Sequence, residues 1–156
     1  MSSETALGTA ETRLGVALPA SYRRWVAEVG DDERTAGRLG TVTWLPLEAI
    51  GRFSAIHPDL VAAWHQGVTS AGEAPAVDDE QYFVYGEEQD VSAIRHEYLD
   101  QAILIGTTDE PGFLLLNPQV IRDGEWEAWF FAAWLPGAER YRSFAEMVQA
   151  WREETD

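Results

Sequence analysis

The chain of 156 residues contains no cysteine and no lysine. Without cysteine there is no thiol nucleophile, no disulfide and no thiolate metal site. Without lysine there is no phosphate-gripping Walker lysine, no Schiff base and no kinase-type lysine. Histidine is scarce. His57, His65 and His96 are the only three, none stands four residues from another, and no HExxH occurs. The hydrolase elbow GxSxG is missing, and Gly37-Arg38-Leu39-Gly40 lacks the spacing of a phosphate-binding fingerprint. No calcium loop of the EF-hand type is present. The expectation is a protein with no catalytic residues, no metal and no cofactor.

Long hydrophobic runs are also lacking. The densest, residues 102–106 and 129–135, are far too short to span a bilayer. Residues 1–12 are polar, with neither an apolar core nor an early basic charge, so they do not read as a secretory signal and a cytoplasmic protein is expected. Positive charge is sparse as well: 11 basic residues, all arginine, against 27 acidic ones leave a formal charge of -16. Such a surface repels phosphate backbones and anionic lipid, which excludes nucleic acid and membranes as expected partners. It favours a basic protein partner through faster encounter and partner choice.

What the chain does have is enough to fold. Hydrophobic residues make up 46 %, and seven Trp, five Tyr and six Phe supply large apolar surfaces. No repeat or convincing linker divides it, because the Gly- and Ala-rich stretch 67–77 is short and central. One domain over residues 1–156 is expected.

The first half reads as helical. A weak helix covers residues 3–14. Pro19 suits a first helical position, and Tyr22, Trp25, Val26 and Val29 follow at helical spacing up to Gly30. Residues 41–45 form a short strand, and Pro46 to Ile50 turn into a helix start. A further helix is expected over residues 58–66, with Leu60, Val61 and Trp64 inward and Gly67 as its stop. The second half reads as sheet. Residues 81–85 are rich in strand formers, residues 92–99 are ambiguous, and residues 103–105 and 113–116 make the arms of a hairpin that Asn117-Pro118 ends. Another strand runs through residues 126–131. Ser143-Phe144-Ala145-Glu146 has the spacing of a capping box and opens a last helix with Phe144, Met147, Val148 and Trp151 as its apolar stripe. The fold class is therefore α+β: a largely antiparallel sheet with N-terminal, middle and C-terminal helices packed around it. Trp25, Trp64, Phe144 and Trp151 are expected in the core. Trp126 and Trp129 have opposite strand parity, so one of them is expected exposed or at a sheet edge.

Two constellations bear on function. Glu125 and Glu127 flank Trp126 and share one strand face, a pairing that could serve acid–base chemistry on a sugar, although a solvated strand face explains it more simply. Acidic clusters fall in the expected loops. Two of them, Asp78-Asp79-Glu80 and Glu87-Glu88 with Asp90, bracket the strand 81–85. They would form a negative rim around an exposed Tyr82 or Tyr85, an aromatic anchor in a charged border.

Several motifs also follow one another in a familiar order. Leu18-Pro19-Ala20-Ser21-Tyr22 leading into an amphipathic helix resembles the N-terminal signature of the SUKH superfamily. Trp44-Leu45-Pro46-Leu47 resembles the strand-to-helix element that follows it. Ile103-Leu104-Ile105-Gly106, Leu114-Leu115-Leu116-Asn117-Pro118 and Gly124-Glu125-Trp126-Glu127 resemble the central hairpin and next strand, and Ser143-Phe144 the opening of the final helix. The likeness spans roughly residues 10–152. Asp31-Asp32-Glu33 and Asp109-Glu110-Pro111 depart from the usual short turns. The resemblance implies an α+β domain without known catalytic residues. It implies an immunity protein that binds and neutralises a toxin, often a nuclease, as bacterial relatives do, or a regulatory adaptor, as the fungal cell-wall-synthesis regulators are. It carries over no binding residue.

Overall fold

In the computed structural model the described residues are 3–29, 34–37, 40–45, 47–70, 78–85, 89, 96–108, 112–132 and 138–155. They form an α+β fold around one antiparallel sheet. Two helices come first: α1 (Ser3–Leu14) and α2 (Ala20–Val29). The strands are β1 (Arg34–Gly37), β2 (Gly40–Trp44), β3 (Gly51–Arg52), β4 (Ile103–Thr108), β5 (Gly112–Arg122), β6 (Glu125–Ala132) and β7 (Ala138–Tyr141). Their order across the sheet is β1-β2-β4-β5-β6-β7, with β3 joining β4 beyond the end of β2. Between β3 and β4 come α3 (Phe53–Ile56), α4 (Pro58–Ser70), α5 (Asp79–Tyr82) and a 3₁₀ helix, His96–Asp100; α6 (Phe144–Thr155) closes the chain. No described helix is long and apolar enough to cross a membrane.

The sheet is covered on both faces, and alternation along the strands assigns the residues. Ile103, Ile105, Leu114, Leu116, Trp126, Ala128 and Phe130 pack with Leu7, Tyr22, Val26, Phe144 and Met147 of α1, α2 and α6. Leu104, Leu115, Trp129 and Phe131 point the other way, to Phe53, Val61, Tyr82 and Leu99 of the middle segments. A strand buried on both faces reads as a continuous apolar run, which is why 103–105 and 114–116 carry no polar alternation. Trp126 and Trp129 do lie on opposite faces, but both are buried, so the expectation that one is exposed or at an edge is overturned: neither face is wet.

Several local expectations are also corrected. Residues 81–85 are not a strand. Asp79 to Tyr82 make one helical turn, and Tyr82 and Phe83 donate their amides to the carbonyls of Asp78 and Asp79. The aromatic residues that suggested a strand are there to fill the space above the sheet. α4 runs through Gly67 to Ser70. Residues 47–50 form a turn leading into β3 rather than a helix start. Asn117-Pro118 does not end the hairpin arm, because β5 continues to Arg122. The pairing with β6 slips between Asn117 and Ile121, the place where Pro118 has no amide hydrogen to give. Asp123 and Gly124, both at positive φ (54° and 78°), then form the tight turn into β6, an Asp-Gly hairpin loop. Phe144 is buried, whereas Trp25 and Trp64 are half-buried at the margins of the two cores. The Trp151 side chain lies outside the described set. Ser143 caps α6 by accepting the Glu146 amide at 3.0 Å, while the Glu146 carboxylate turns to Arg142 at 3.3 Å instead of completing the box.

Candidate functional site

The most concentrated polar chemistry among the described residues is built on β6. Glu127 and Trp129, two residues apart, share the face that the middle segments cover. Asn117 stands opposite Glu127 in the β5–β6 register. α5 and the coil after it lay Tyr82 and Tyr85 over these side chains. Glu127 is 1 % exposed and accepts from four donors. The Tyr82 hydroxyl, Asn117 Nδ2 (3.2 Å) and Trp129 Nε1 (2.6 Å) reach Oε1, and the Tyr85 hydroxyl (2.6 Å) reaches Oε2. A buried carboxylate is tolerated only when its lone pairs are met in this way.

Arg140, on β7, is the cationic partner in this layer. It is fully buried, its Nη1 donates to the Tyr82 carbonyl, and its guanidinium lies 4.4 Å from the Tyr82 ring centre and 5.7 Å from that of Tyr85. The backbone of Arg140 is held too. Its amide donates to Gln89 Oε1 at 2.7 Å and its carbonyl accepts from Gln89 Nε2 at 3.1 Å, so one side-chain amide covers the outer edge of β7 as a neighbouring strand would. Arg142 lies 4.9 Å from the Tyr85 ring centre, and Arg122 lies 4.7 Å from that of Phe83. Tyr82, Phe83, Tyr85 and Gln89 are thus fastened to the β5–β7 side of the sheet by hydrogen bonds and cation–π contacts together.

The phenols respond to this setting. Burial, and then the facing Glu127 carboxylate, push both Tyr82 and Tyr85 far above the ordinary tyrosine range, so both stay protonated donors.

Glu125 and Glu127 share a strand but not a task. Glu125 Oε1 accepts the Ser21 amide at 3.1 Å and the Ser21 hydroxyl at 2.9 Å, at the start of α2, while Glu127 is enclosed by its own four donors. The expected solvated strand face is therefore a buried network at Glu127 and a helix-start anchor at Glu125.

Of the expected partner-binding residues, Asp78, Asp79 and Glu80 are exposed on and beside α5. Tyr82 is completely buried and Tyr85 half-buried, so neither is the exposed aromatic anchor expected; their hydroxyls are committed to Glu127. Glu87, Glu88 and Asp90 lie outside the described residues, so the far side of the rim is not placed. Sequence reasoning missed Asn117, Arg140 and the role of Glu127. One signal was available: Asn117 and Glu127 interrupt apolar runs on adjacent strands, and a polar residue in a strand buried on both faces has to find a partner.

A shallow depression of about 280 Å³ opens beside this layer, lined by Tyr85, Val120, Arg122, Asp123, Glu125 and Arg142 among others. No group of His, Asp or Glu placed to hold a metal ion occurs among the described residues. No protein-family model matches the chain, and no curated protein or solved structure matches it either.

Proposed function

We propose that the chain is a non-catalytic protein-binding domain that neutralises a basic partner, in the manner of a toxin-immunity protein of the SUKH kind. The observation that carries this reading is the exposed acidic run Asp78-Asp79-Glu80, followed directly by a segment pinned to the sheet through Glu127 and Arg140. Charges presented from an anchored segment have less entropy to lose on binding than charges on a free loop. The overall charge of -16 adds long-range attraction for a basic surface. The two carboxylates weighed for sugar chemistry are both engaged in holding the fold, which supports leaving acid–base catalysis out of the reading. A general regulatory adaptor is the second reading that the SUKH resemblance leaves open; a toxin gene adjacent to this one separates the two.

The role is tested by expressing such a toxin domain with and without this chain. Restored growth together with a stable complex is the expected result; undiminished killing with no complex sinks the immunity reading. The surface is tested by changing Asp78, Asp79, Glu80, Glu87, Glu88 and Asp90 to Asn or Gln. Association should slow and lose much of its salt dependence, because charge steering is screened beyond about 8–10 Å at ordinary ionic strength. An unchanged association rate and salt slope would place the binding face elsewhere.

A further inference from the structure

Arg140 carries an unmet demand. Its Nη1 is used, but Nε and Nη2 are buried and have no hydrogen-bond acceptor among the described residues. These two N–H groups lie on one edge of the guanidinium and point the same way, the paired fork that grips both oxygens of a carboxylate. Leaving two charged donors dry and unpaired is costly, and native interiors rarely tolerate it. The ring centre of Tyr85 lies 5.7 Å from this guanidinium, and Tyr85 also lines the 280 Å³ depression together with Arg122 and Arg142, so Tyr85 stands between that depression and Arg140, which does not line it. Three of the chain's eleven arginines therefore gather at one spot on a strongly acidic protein.

The geometry points to a carboxylate-binding site in which the Arg140 fork is the floor, Arg122 and Arg142 are the rim, and Tyr85 is a side-chain gate between them. A carboxylate entering from the depression would turn the Tyr85 ring aside and accept both fork hydrogens. Its backbone need not move, because Tyr85 is held at its tip by one hydrogen bond to Glu127. A single negative charge suits the place better than a phosphate dianion. Asp123 and Glu125 also line the depression and Glu127 stands behind it, so the three arginines are already largely balanced. The site takes a small free carboxylate or the carboxylate of a side chain or chain end, and it does not depend on the partner reading above.

The test follows the Arg140 side-chain Nε–H resonance of the intact chain during addition of sodium formate, with sodium chloride at equal ionic strength as control. A saturable shift with formate and none with chloride is expected. Tyr85→Phe keeps the ring but frees the gate, so half-saturation should fall about fivefold, the factor corresponding to one ordinary hydrogen bond. Arg142→Gln should raise it. An Arg140 signal that formate leaves unmoved in both the wild type and Tyr85→Phe would overturn the proposal and leave the fork to a buried water. Inorganic phosphate binding more tightly than formate would overturn the choice of a carboxylate. A short peptide bearing a free C-terminal carboxylate, compared with its amidated form, then distinguishes a chain end from a small acid. The wild-type titration stands by itself if either variant fails to fold.

Discussion

The two faces of the sheet are closed by different means. On one face the terminal helices α1, α2 and α6 lay apolar stripes across the strands, and an aromatic group fastens them. Trp25 and Trp44 are 4.6 Å apart between ring centres, Tyr22 and Phe144 are 5.3 Å apart, and Trp25 and Phe144 are 5.5 Å apart. On the other face the cover beyond α4 is piecemeal among the described residues: two four-residue helices and one 3₁₀ helix. A single helical turn has no stability alone and too little length for an apolar stripe. That face is held in part by directional bonds to buried groups, Glu127 and Arg140 above all. The comparison teaches that long amphipathic helices can be placed by burial alone, whereas short irregular segments need specific polar anchors to take one position.

The largest expected effect tests the apolar face. Phe144→Ala removes a side chain 1 % exposed that meets Tyr22, Trp25 and Trp44, and should cost about 3–5 kcal/mol in denaturant unfolding. The loss should be global, with hydrogen exchange accelerated in both halves of the chain. A loss below about 1 kcal/mol would mean that α6 is not docked through this residue.

A smaller and more local effect is expected on the polar face. Glu127→Gln keeps the shape but removes the charge that the Tyr82 and Tyr85 hydroxyls meet and sets an N–H2 group among four donors. It should cost about 1–3 kcal/mol. Amide exchange should rise most at Tyr82 and Phe83 and least in α6, and Trp129 fluorescence should shift because its indole N–H exchanges a charged acceptor for a neutral amide. Equal acceleration in α6 and α5 would erase the distinction between the faces.

The third effect appears only at alkaline pH. Tyr82 and Tyr85 have folded pKa values raised above the unfolded value near 10, so above that pH the unfolded chain releases these protons while the folded chain keeps them. The unfolded state then binds fewer protons, and stability falls as pH rises. A fully linked tyrosine contributes about 1.4 kcal/mol per pH unit, with less expected from the half-buried Tyr85. The melting temperature should drop between pH 10 and 11, and Tyr82→Phe should flatten that drop. Equal pH slopes in the wild type and Tyr82→Phe would show that this phenol is not what links the polar face to pH.

The difference between the faces also explains which elements were readable. α1 matches its expected span, and α2 and α6 begin where Pro19 and Ser143 signal. The hairpin of β4 and β5 and the strand β6 follow from their apolar runs, although β5 extends past Pro118. α5 was misread because Tyr82-Phe83-Val84-Tyr85 has strand composition, and composition does not separate a strand from a segment whose aromatics fill a gap over a sheet. β7 went unread because Ala138-Glu139-Arg140-Tyr141 lacks alternation; its one exceptional residue is a buried arginine. Of the site, the acidic run at Asp78-Asp79-Glu80 was visible, but the anchors beneath it were not.

By itself the sequence determined the α+β order, the terminal helices, the hairpin, and the exclusion of thiol and lysine chemistry. Each of these rests on residue type or on spacing within a few positions. Only the tertiary structure decided that both faces of the sheet are covered, that Trp126 and Trp129 are both buried, and that Glu127 and Arg140 meet Tyr82 and Tyr85 in one layer. Strand parity says which side chains share a face but not what lies above it. Tyr82 and Glu127 are 45 positions apart, so nothing local in either segment encodes their meeting.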